Sequence, residues 1–213
     1  MSCAEVYKQI SSELETVSRQ SGYGRIKVLA VTKNQPAEKI MELYEAGVRE
    51  FAENRIAVLE EKMEKLPSDI VWHFIGKIQS NKVRKVIKAA HVLHSIDSME
   101  LLRRMERICS EERIFPELFL EVNISGESSK SGVTLSEAEK ILSTELSGVK
   151  ITGLMTMAPN GADEEELTSI FSGLRSLGES YGIKEYSMGM SNDCRTAAQC
   201  GATIVRIGTA LFT

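Results

Sequence analysis

The chain has 213 residues, of which 42% are hydrophobic and 26% charged, and its formal net charge is −4 at pH 7. These values are typical of one globular domain, residues 1–213, long enough to bury a core. A net negative charge gives no electrostatic basis for binding nucleic acid. No apolar run approaches the roughly 20 residues of a membrane span, and the N-terminus lacks the order of a signal peptide. We therefore expect a cytoplasmic protein with neither nucleic acid nor membrane as partner.

Short apolar segments alternate with longer amphipathic segments along the chain. A leading helix is predicted over 3–20, and strands are predicted at 26–32, 49–52, 71–75, 91–96, 117–123, 150–155, 184–187 and 203–207. The helical patterns between these strands predict parallel pairing through crossover connections. An open doubly wound sheet and a closed barrel both fit this order, and eight strands favour the barrel.

We therefore predict an α/β fold, a single (β/α)8 TIM barrel with an extra N-terminal helix. The sequence ends about six residues after the last predicted strand, so no eighth helix is expected in the usual place. The leading helix could cover that gap. In such barrels, binding groups lie at the C-terminal ends of the strands, with phosphate on the loops after strands seven and eight.

The segment VLAVTKN (28–34) is an apolar run that stops at Lys33. Apolar walls around a lysine favour its neutral amine, which can attack an aldehyde and form an imine. A surface lysine at a strand end is the alternative that this segment leaves open. Closure of a barrel would make the first strand a neighbour of the last, so the C-terminal segments bear on this choice.

Small residues follow two predicted strands near the C-terminus, in GMS (189–191) and IGT (207–209). Backbone N–H groups at such turns can approach a phosphate closely, and Ser191 and Thr209 add hydroxyl donors. Two ordinary strand-to-helix turns are the alternative. A Schiff-base lysine beside a phosphate turn indicates a phosphorylated aldehyde cofactor, for which pyridoxal 5′-phosphate (PLP) is the obvious candidate.

Arg206 lies between Val205 and Ile207 on a predicted strand. Because side chains alternate along a strand, that of Arg206 should point to the face opposite those of its two neighbours. An arginine in a barrel mouth needs a partner, either a pyridine nitrogen or a buried carboxylate. Because arginine keeps its proton, a pyridine nitrogen that faces it would stay unprotonated. Such a ring is a poorer electron sink than one paired with a carboxylate.

Two further polar segments leave alternatives open. The run QSNK (79–82) could line a site or cap the next helix at Ser80, and the segment 121–132 could be a mobile lid or a long loop. His91 and His94 are three apart on a predicted strand and should face opposite sides. Because the sequence also has no Cys/His cluster, we expect no metal site.

Several segments together resemble the pyridoxal phosphate homeostasis protein family, namely VLAVTKNQP, FAEN, WHFIGKIQSNK, EVNISGESSKSG, GLMTM, SMGMSND and VRIGTALF. That family is similar to the N-terminal barrel domain of alanine racemase. The resemblance extends over about the whole chain and implies a PLP-binding protein that carries or buffers PLP in vitamin B6 and amino-acid homeostasis, without established turnover. PLP is then the cofactor and PLP-dependent apoenzymes are candidate partners, and we expect a monomer.

The resemblance also implies roles for individual residues. Lys33 should form the imine, and Arg206 should face the pyridine nitrogen. The phosphate cup and the lining of the pocket are expected from Ser191, Gly208, Thr209, Asn54, His73 and Met190. No catalytic residue is expected.

The sequence departs from the family pattern at two places. The common GEN tripeptide is Ala52-Glu53-Asn54 here, followed by Arg55 where an aromatic residue is frequent. The sequence stops at Thr213, where relatives usually continue. These departures concern the rim of the pocket and the C-terminal tail.

Two enzymatic functions are the alternatives. Racemisation needs acid/base groups on opposite faces of the cofactor, and alanine racemase takes its second group from a separate β-domain, whereas this sequence ends before such a domain could begin. A Schiff-base aldolase would bind phosphate as part of its substrate and would be colourless, whereas bound PLP gives a visible absorption band.

Overall fold

The computed structural model describes residues 1–127 and 131–212. Its strands form a closed parallel barrel in the order β1 to β8, which confirms the predicted TIM barrel. Each strand lies within two residues of its predicted bounds. The strands are β1 Lys27–Val31, β2 Glu50–Glu53, β3 Val71–Phe74, β4 Val92–Ile96, β5 Glu117–Glu121, β6 Ile151–Met155, β7 Glu185–Ser187 and β8 Ile204–Ile207.

Helices alternate with the strands and cover the outside of the barrel. They are α1 Cys3–Gln20, α2 Ala37–Glu45, α3 Ile56–Lys65, α4 Val83–Ala89, α5 Met99–Glu112, α6 Leu135–Leu142, α7 Glu164–Ser180, α8 Cys194–Gln199 and α9 Thr209–Phe212. A 3₁₀ turn, Ser80–Lys82, precedes α4, so Ser80 begins that turn and does not cap the helix. Within residues 1–127 and 131–212, no helix combines the length and apolar composition that crossing a membrane requires.

The first and last strands pair in parallel, with Val28 opposite Val205 and Ala30 opposite Ile207. The leading helix α1 contacts α2, α8 and α9 and therefore lies over this seam, as the sequence predicts. Its Tyr7 hydroxyl donates to the carbonyl of Val28 at 3.0 Å. The sequence predicts no eighth helix in the usual place, and the structure has only the four-residue α9 after β8 within the described residues.

The core has two layers. The larger layer lies between the strands and the helices, where residues such as Phe51, Trp72 and Phe171 are buried. A smaller apolar cluster fills the inside of the barrel and consists of Leu29, Val31, Ala52, Val92, Phe119, Met155 and Ile204. Buried polar side chains, among them His94, Glu121 and Arg206, also lie on the strands.

Candidate functional site

The C-terminal mouth of the barrel gathers most of the predicted cofactor-binding residues. Lys33 and Asn54 follow β1 and β2, Met190 and Ser191 follow β7, and Gly208 follows β8. Gly208 approaches the first strand closely, because a Cβ at this position would lie 3.3 Å from the carbonyl oxygen of Val31. Closure of the barrel thus places the lysine segment beside the last strand.

A tight turn presents Lys33 at this mouth. The N–H of Gln35 donates to the carbonyl of Thr32 at 2.9 Å, and Asn34 takes a left-handed φ of 63°. Asparagine tolerates this conformation better than most residues, so it suits the turn. The side chain of Lys33 is exposed. Lys33 is therefore less enclosed than the sequence predicts, because strand β1 ends at Val31, two residues before it.

A second lysine, which the sequence analysis missed, lies buried beneath this turn. Lys62 of α3 forms an ion pair with Glu53, and its side chain is 8% exposed while that of Glu53 is 0% exposed. Lys62 Nζ also donates to the carbonyl oxygen of Thr32 at 2.8 Å, one residue before Lys33. The signal was present in the sequence, because Lys62 shares a helix face with Leu59 and would be expected to point inward.

Asn54 is held by a close backbone contact. A Cβ at Gly76 would lie 2.0 Å from the carbonyl oxygen of Asn54, so only glycine fits there. The N–H of Ile75 donates to the carbonyl of Glu53 at 2.9 Å, and Ser95 Oγ donates to the carbonyl of Gly76 at 2.5 Å. The side chain of Asn54 is exposed at the mouth.

The segment after β7 forms a compact turn that leads into α8. Gly189 has a φ of +91°, a conformation that residues with a side chain rarely adopt. A Cβ at this position would also lie 2.5 Å from the Cβ of Ala197, so the space excludes a side chain as well. The N–H of Met190 donates to the carboxylate of Asp193, and the N–H of Cys194 donates to the carbonyl of Met190 at 2.8 Å. Met190 and Ser191 are half-buried.

Thr209 and Gly208 occupy the corresponding position after β8. Thr209 is exposed and begins α9, while Gly208 is half-buried. The two turns that the sequence analysis paired therefore follow neighbouring strands, β7 and β8, at the same end of the barrel.

Arg206 lies inside the barrel and is 4% exposed. Its Nη1 donates to the carbonyl and to the hydroxyl oxygen of Ser187, each at 2.7 Å, and its Nη2 donates to the carbonyl of Thr156 at 2.9 Å. Burial lowers the pKa of Arg206 to about 10, so the guanidinium still carries its charge at pH 7.

His73, which the resemblance assigns to the lining of the pocket, lies inside the barrel. The residue is 1% exposed, and its two ring nitrogens contact Glu50 and His94 at 3.0 and 2.9 Å. Both nitrogens are therefore engaged within the barrel, and any effect on a ligand at the mouth passes through other side chains.

Glu121 is a second buried ionisable group that the sequence analysis missed. It shares the inward face of β5 with Phe119 and is 5% exposed. Its Oε1 finds no hydrogen-bond partner among residues 1–127 and 131–212. Burial raises the pKa of Glu121 to about 7, with a further increase from Asp97 and an opposing effect of Arg206. The alternation in ELFLE could have identified this position, because residues 119 and 121 point to the same side of the strand.

The base of the 121–132 segment is pinned to the barrel. The N–H of Asn123 donates to the carbonyl of Val133, and the N–H of Val133 donates to the carbonyl of Glu121, each at 2.9 Å. Residues 128–130, in the middle of the predicted lid or loop, lie outside the described residues, as does Thr213.

Comparison with known proteins decides the family. The family model described as "Alanine racemase, N-terminal domain" matches residues 7–213. A pyridoxal phosphate homeostasis protein of Aquifex aeolicus (strain VF5) is 33% identical over 223 residues, which cover 100% of this chain and 98% of the relative. The chain belongs to the pyridoxal phosphate homeostasis protein family. Another relative of that name, from Synechocystis sp., is 38% identical over 197 residues, with 88% of this chain and 90% of the relative covered.

Solved structures agree with membership of the pyridoxal phosphate homeostasis protein family. PipY of Synechococcus elongatus PCC7942, solved with PLP bound, is 35% identical, with a TM-score of 0.86 over 99% of this chain and 100% of PipY. The same protein without PLP gives a TM-score of 0.87 at 34% identity, with 99% of both chains covered. An alanine racemase of Clostridium difficile 630 shares the fold at 14% identity and a TM-score of 0.75, over 92% of this chain and 57% of the racemase.

Proposed function

We propose that this protein binds PLP at the C-terminal mouth of its barrel and carries or buffers it in vitamin B6 and amino-acid homeostasis. Membership of the family and the PLP-bound structure of PipY support this function. The observation on this chain that carries it is the meeting of an exposed lysine turn, two small-residue turns and a buried arginine at one end of the barrel.

The residues at the mouth fit PLP by their chemistry. Lys33 offers an amine to an aldehyde, and Ser191 and Thr209 offer neutral hydroxyl donors beside the glycine turns. Arg206 offers an Nε–H for a ring nitrogen, and Glu121 Oε1 is a buried polar atom without a described partner. Asn54, Met190 and Gly208 complete the lining that we assign. When bound, PLP would supply the aldehyde that joins the lysine and a conjugated ring that absorbs visible light.

We further propose that the protein does not turn over amino acids. Arg206 is charged at pH 7 and donates to whatever faces it, so a ring nitrogen there stays unprotonated and the ring withdraws electrons weakly. The racemase-like alternative is favoured by one observation, since Glu121 has a pKa of about 7 and could exchange a proton at the mouth. A monomer in the cytoplasm, with PLP-dependent apoenzymes as recipients, completes the proposal.

The test is an equilibrium titration of the purified protein with PLP, followed by visible absorbance. We expect a new band with the wild type and none with Lys33→Ala. Lys77→Ala removes another exposed lysine, just beyond β3, and should keep the band. Loss of the band in both variants, or in neither, would contradict the assignment of Lys33.

A further inference from the structure

A line of buried polar side chains runs through the inside of the barrel, starting from the mouth. Arg206 Nη1 donates to Ser187 Oγ at 2.7 Å, and the same Oγ lies 2.8 Å from His94 Nδ1. His94 Nε2 lies 2.9 Å from His73 Nδ1. All four side chains are at least 95% buried, so each polar atom depends on its neighbours in this line.

The line continues to the opposite end of the barrel. His73 Nε2 lies 3.0 Å from Glu50 Oε2, and Lys27 Nζ donates to the same oxygen at 2.7 Å. Lys27 and Glu50 are the first residues of β1 and β2, so they lie at the N-terminal ends of their strands. We call Glu50, His73, His94 and Ser187 the axial chain.

The charges in the axial chain follow from burial and hydrogen bonding. Burial lowers the pKa of His73 and lowers that of His94 well below its usual range, so both rings are neutral at pH 7. The hydrogen bond from His73 lowers the pKa of Glu50 to about 2, so its carboxylate is ionised.

These charges leave one arrangement of protons. The Glu50 carboxylate can only accept, so His73 carries its proton on Nε2 and accepts at Nδ1. His94 must then donate from Nε2 and accept at Nδ1, which leaves the hydroxyl of Ser187 to donate to it. Ser187 Oγ thereby keeps its lone pairs for Arg206, which can only donate.

The arrangement connects Arg206 to a carboxylate at the other end of the barrel. Every donor points away from the mouth, and each bond fixes the proton position of the next. Because Arg206 keeps its own protons, the axial chain orients the guanidinium and does not conduct a proton through it. If the guanidinium group of Arg206 bonded only to the carbonyl oxygens of Ser187 and Thr156, the hydroxyl group of Ser187 could rotate and donate elsewhere.

We propose that the axial chain positions Arg206 and so determines how strongly the mouth prefers a ligand ring with a nitrogen acceptor over the same ring without one. Glu50, His73, His94 and Ser187 are positioning residues in this assignment, since they act through Arg206. The inference rests on the proposed PLP-binding function. It adds that residues as far away as Glu50, at the opposite end of the barrel, affect which ligand ring the mouth prefers.

The first test uses the protein without ligand. The chain has three histidines, so nitrogen-15 NMR can assign the protonated nitrogen of each ring. We expect His73 and His94 to be neutral with the proton on Nε2, and Ser187→Ala to shift the Nδ1 resonance of His94 toward that of an unbonded nitrogen. Protons on Nδ1 of both rings would overturn the proposed direction of the axial chain, whether or not the protein binds PLP.

The second test compares PLP with its 1-deaza analogue, in which a C–H replaces the ring nitrogen while the aldehyde and phosphate are kept. We expect the wild type to prefer PLP, and Ser187→Ala and Glu50→Ala to reduce this preference at least threefold. The ratio of the two dissociation constants cancels any general effect on phosphate binding. Glu185→Ala is the matched control, because Glu185 is exposed and begins β7 as Glu50 begins β2.

The outcomes distinguish failure of this inference from failure of the proposed function. Equal loss of both ligands in Ser187→Ala and Glu50→Ala would mean a merely structural role and would overturn the inference, as would an unchanged preference. A wild type that binds neither ligand would contradict the proposed function, while the NMR experiment would still decide the direction of the axial chain.

Discussion

Replacing Lys62 by methionine tests the support beneath the lysine turn. The substitution keeps the apolar stem but removes the ammonium group, which leaves the carboxylate of Glu53 buried without its ion pair. Breaking a buried pair in this way costs roughly 3–5 kcal/mol. Glu53 keeps hydrogen bonds from Thr32 Oγ1 at 3.0 Å and from the N–H of Asn54 at 3.2 Å, so we expect the lower end, about 3 kcal/mol.

Urea unfolding measures this cost. With a slope of about 3 kcal/mol per M for a domain of this size, the midpoint should fall by about 1 M. Lys65→Met is the matched control on the same helix, because Lys65 is exposed, and it should change the free energy of unfolding by less than about 0.5 kcal/mol. The double variant Lys62→Met with Glu53→Gln should be more stable than Lys62→Met alone.

Two results would refute this reasoning. One is a loss of less than about 1 kcal/mol in Lys62→Met, which would mean that water or a rearrangement compensates the carboxylate. The other is a double variant no more stable than Lys62→Met, which would mean that the lost packing of α3, and not the unpaired charge, accounts for the cost.

Three further outcomes are expected at the mouth. Glu121→Gln should stabilise the protein above pH 7 and have little effect at pH 4. The pKa of Glu121 is about 7 in the folded protein against an ordinary 4.5, so the wild type loses stability as the pH rises from 4.5 to 7. Urea unfolding of both proteins at pH 4 and above pH 7 measures the difference. The double variant Ser191→Ala with Thr209→Ala should bind PLP roughly 100- to 10,000-fold more weakly in an equilibrium titration, because two hydrogen bonds to a charged acceptor are lost. Its affinity for pyridoxal, which lacks the phosphate, should be unchanged; equal losses for both ligands would exclude a phosphate role. Incubation of the PLP-loaded protein with L-amino acids in deuterated water should show no α-proton exchange above free PLP by NMR, and fast exchange abolished by Lys33→Ala would identify an enzyme.

The fold could be predicted from local patterns because each strand is a short apolar run between amphipathic helices. Eight such runs favour a barrel, and barrel closure then brings the segments at residues 33 and 208 together. His91 and His94 face opposite sides as their spacing predicts, since His91 is exposed and His94 is fully buried.

The exposure of Lys33 and the interior contacts could not be predicted in the same way. The turn at Asn34 depends on a single left-handed residue, and strand periodicity carries no information on where such a turn begins. The contact between His73 and His94 depends on the register of neighbouring strands, which is fixed by the whole barrel. Lys62 and Glu121 were missed for a different reason. Each lies on a face that the apolar pattern marks as buried, but charged residues are usually expected to be exposed.

The central claim, that PLP joins Lys33 at this mouth, is tested most directly by trapping the link. The protein is loaded with PLP, reduced with borohydride and digested, and the modified peptide is located by mass spectrometry. We predict that the adduct is on Lys33, and that Lys33→Ala gives no adduct under the same conditions. An adduct confined to any other lysine, or an unmodified Lys33 in a protein that shows the visible band, would contradict the account.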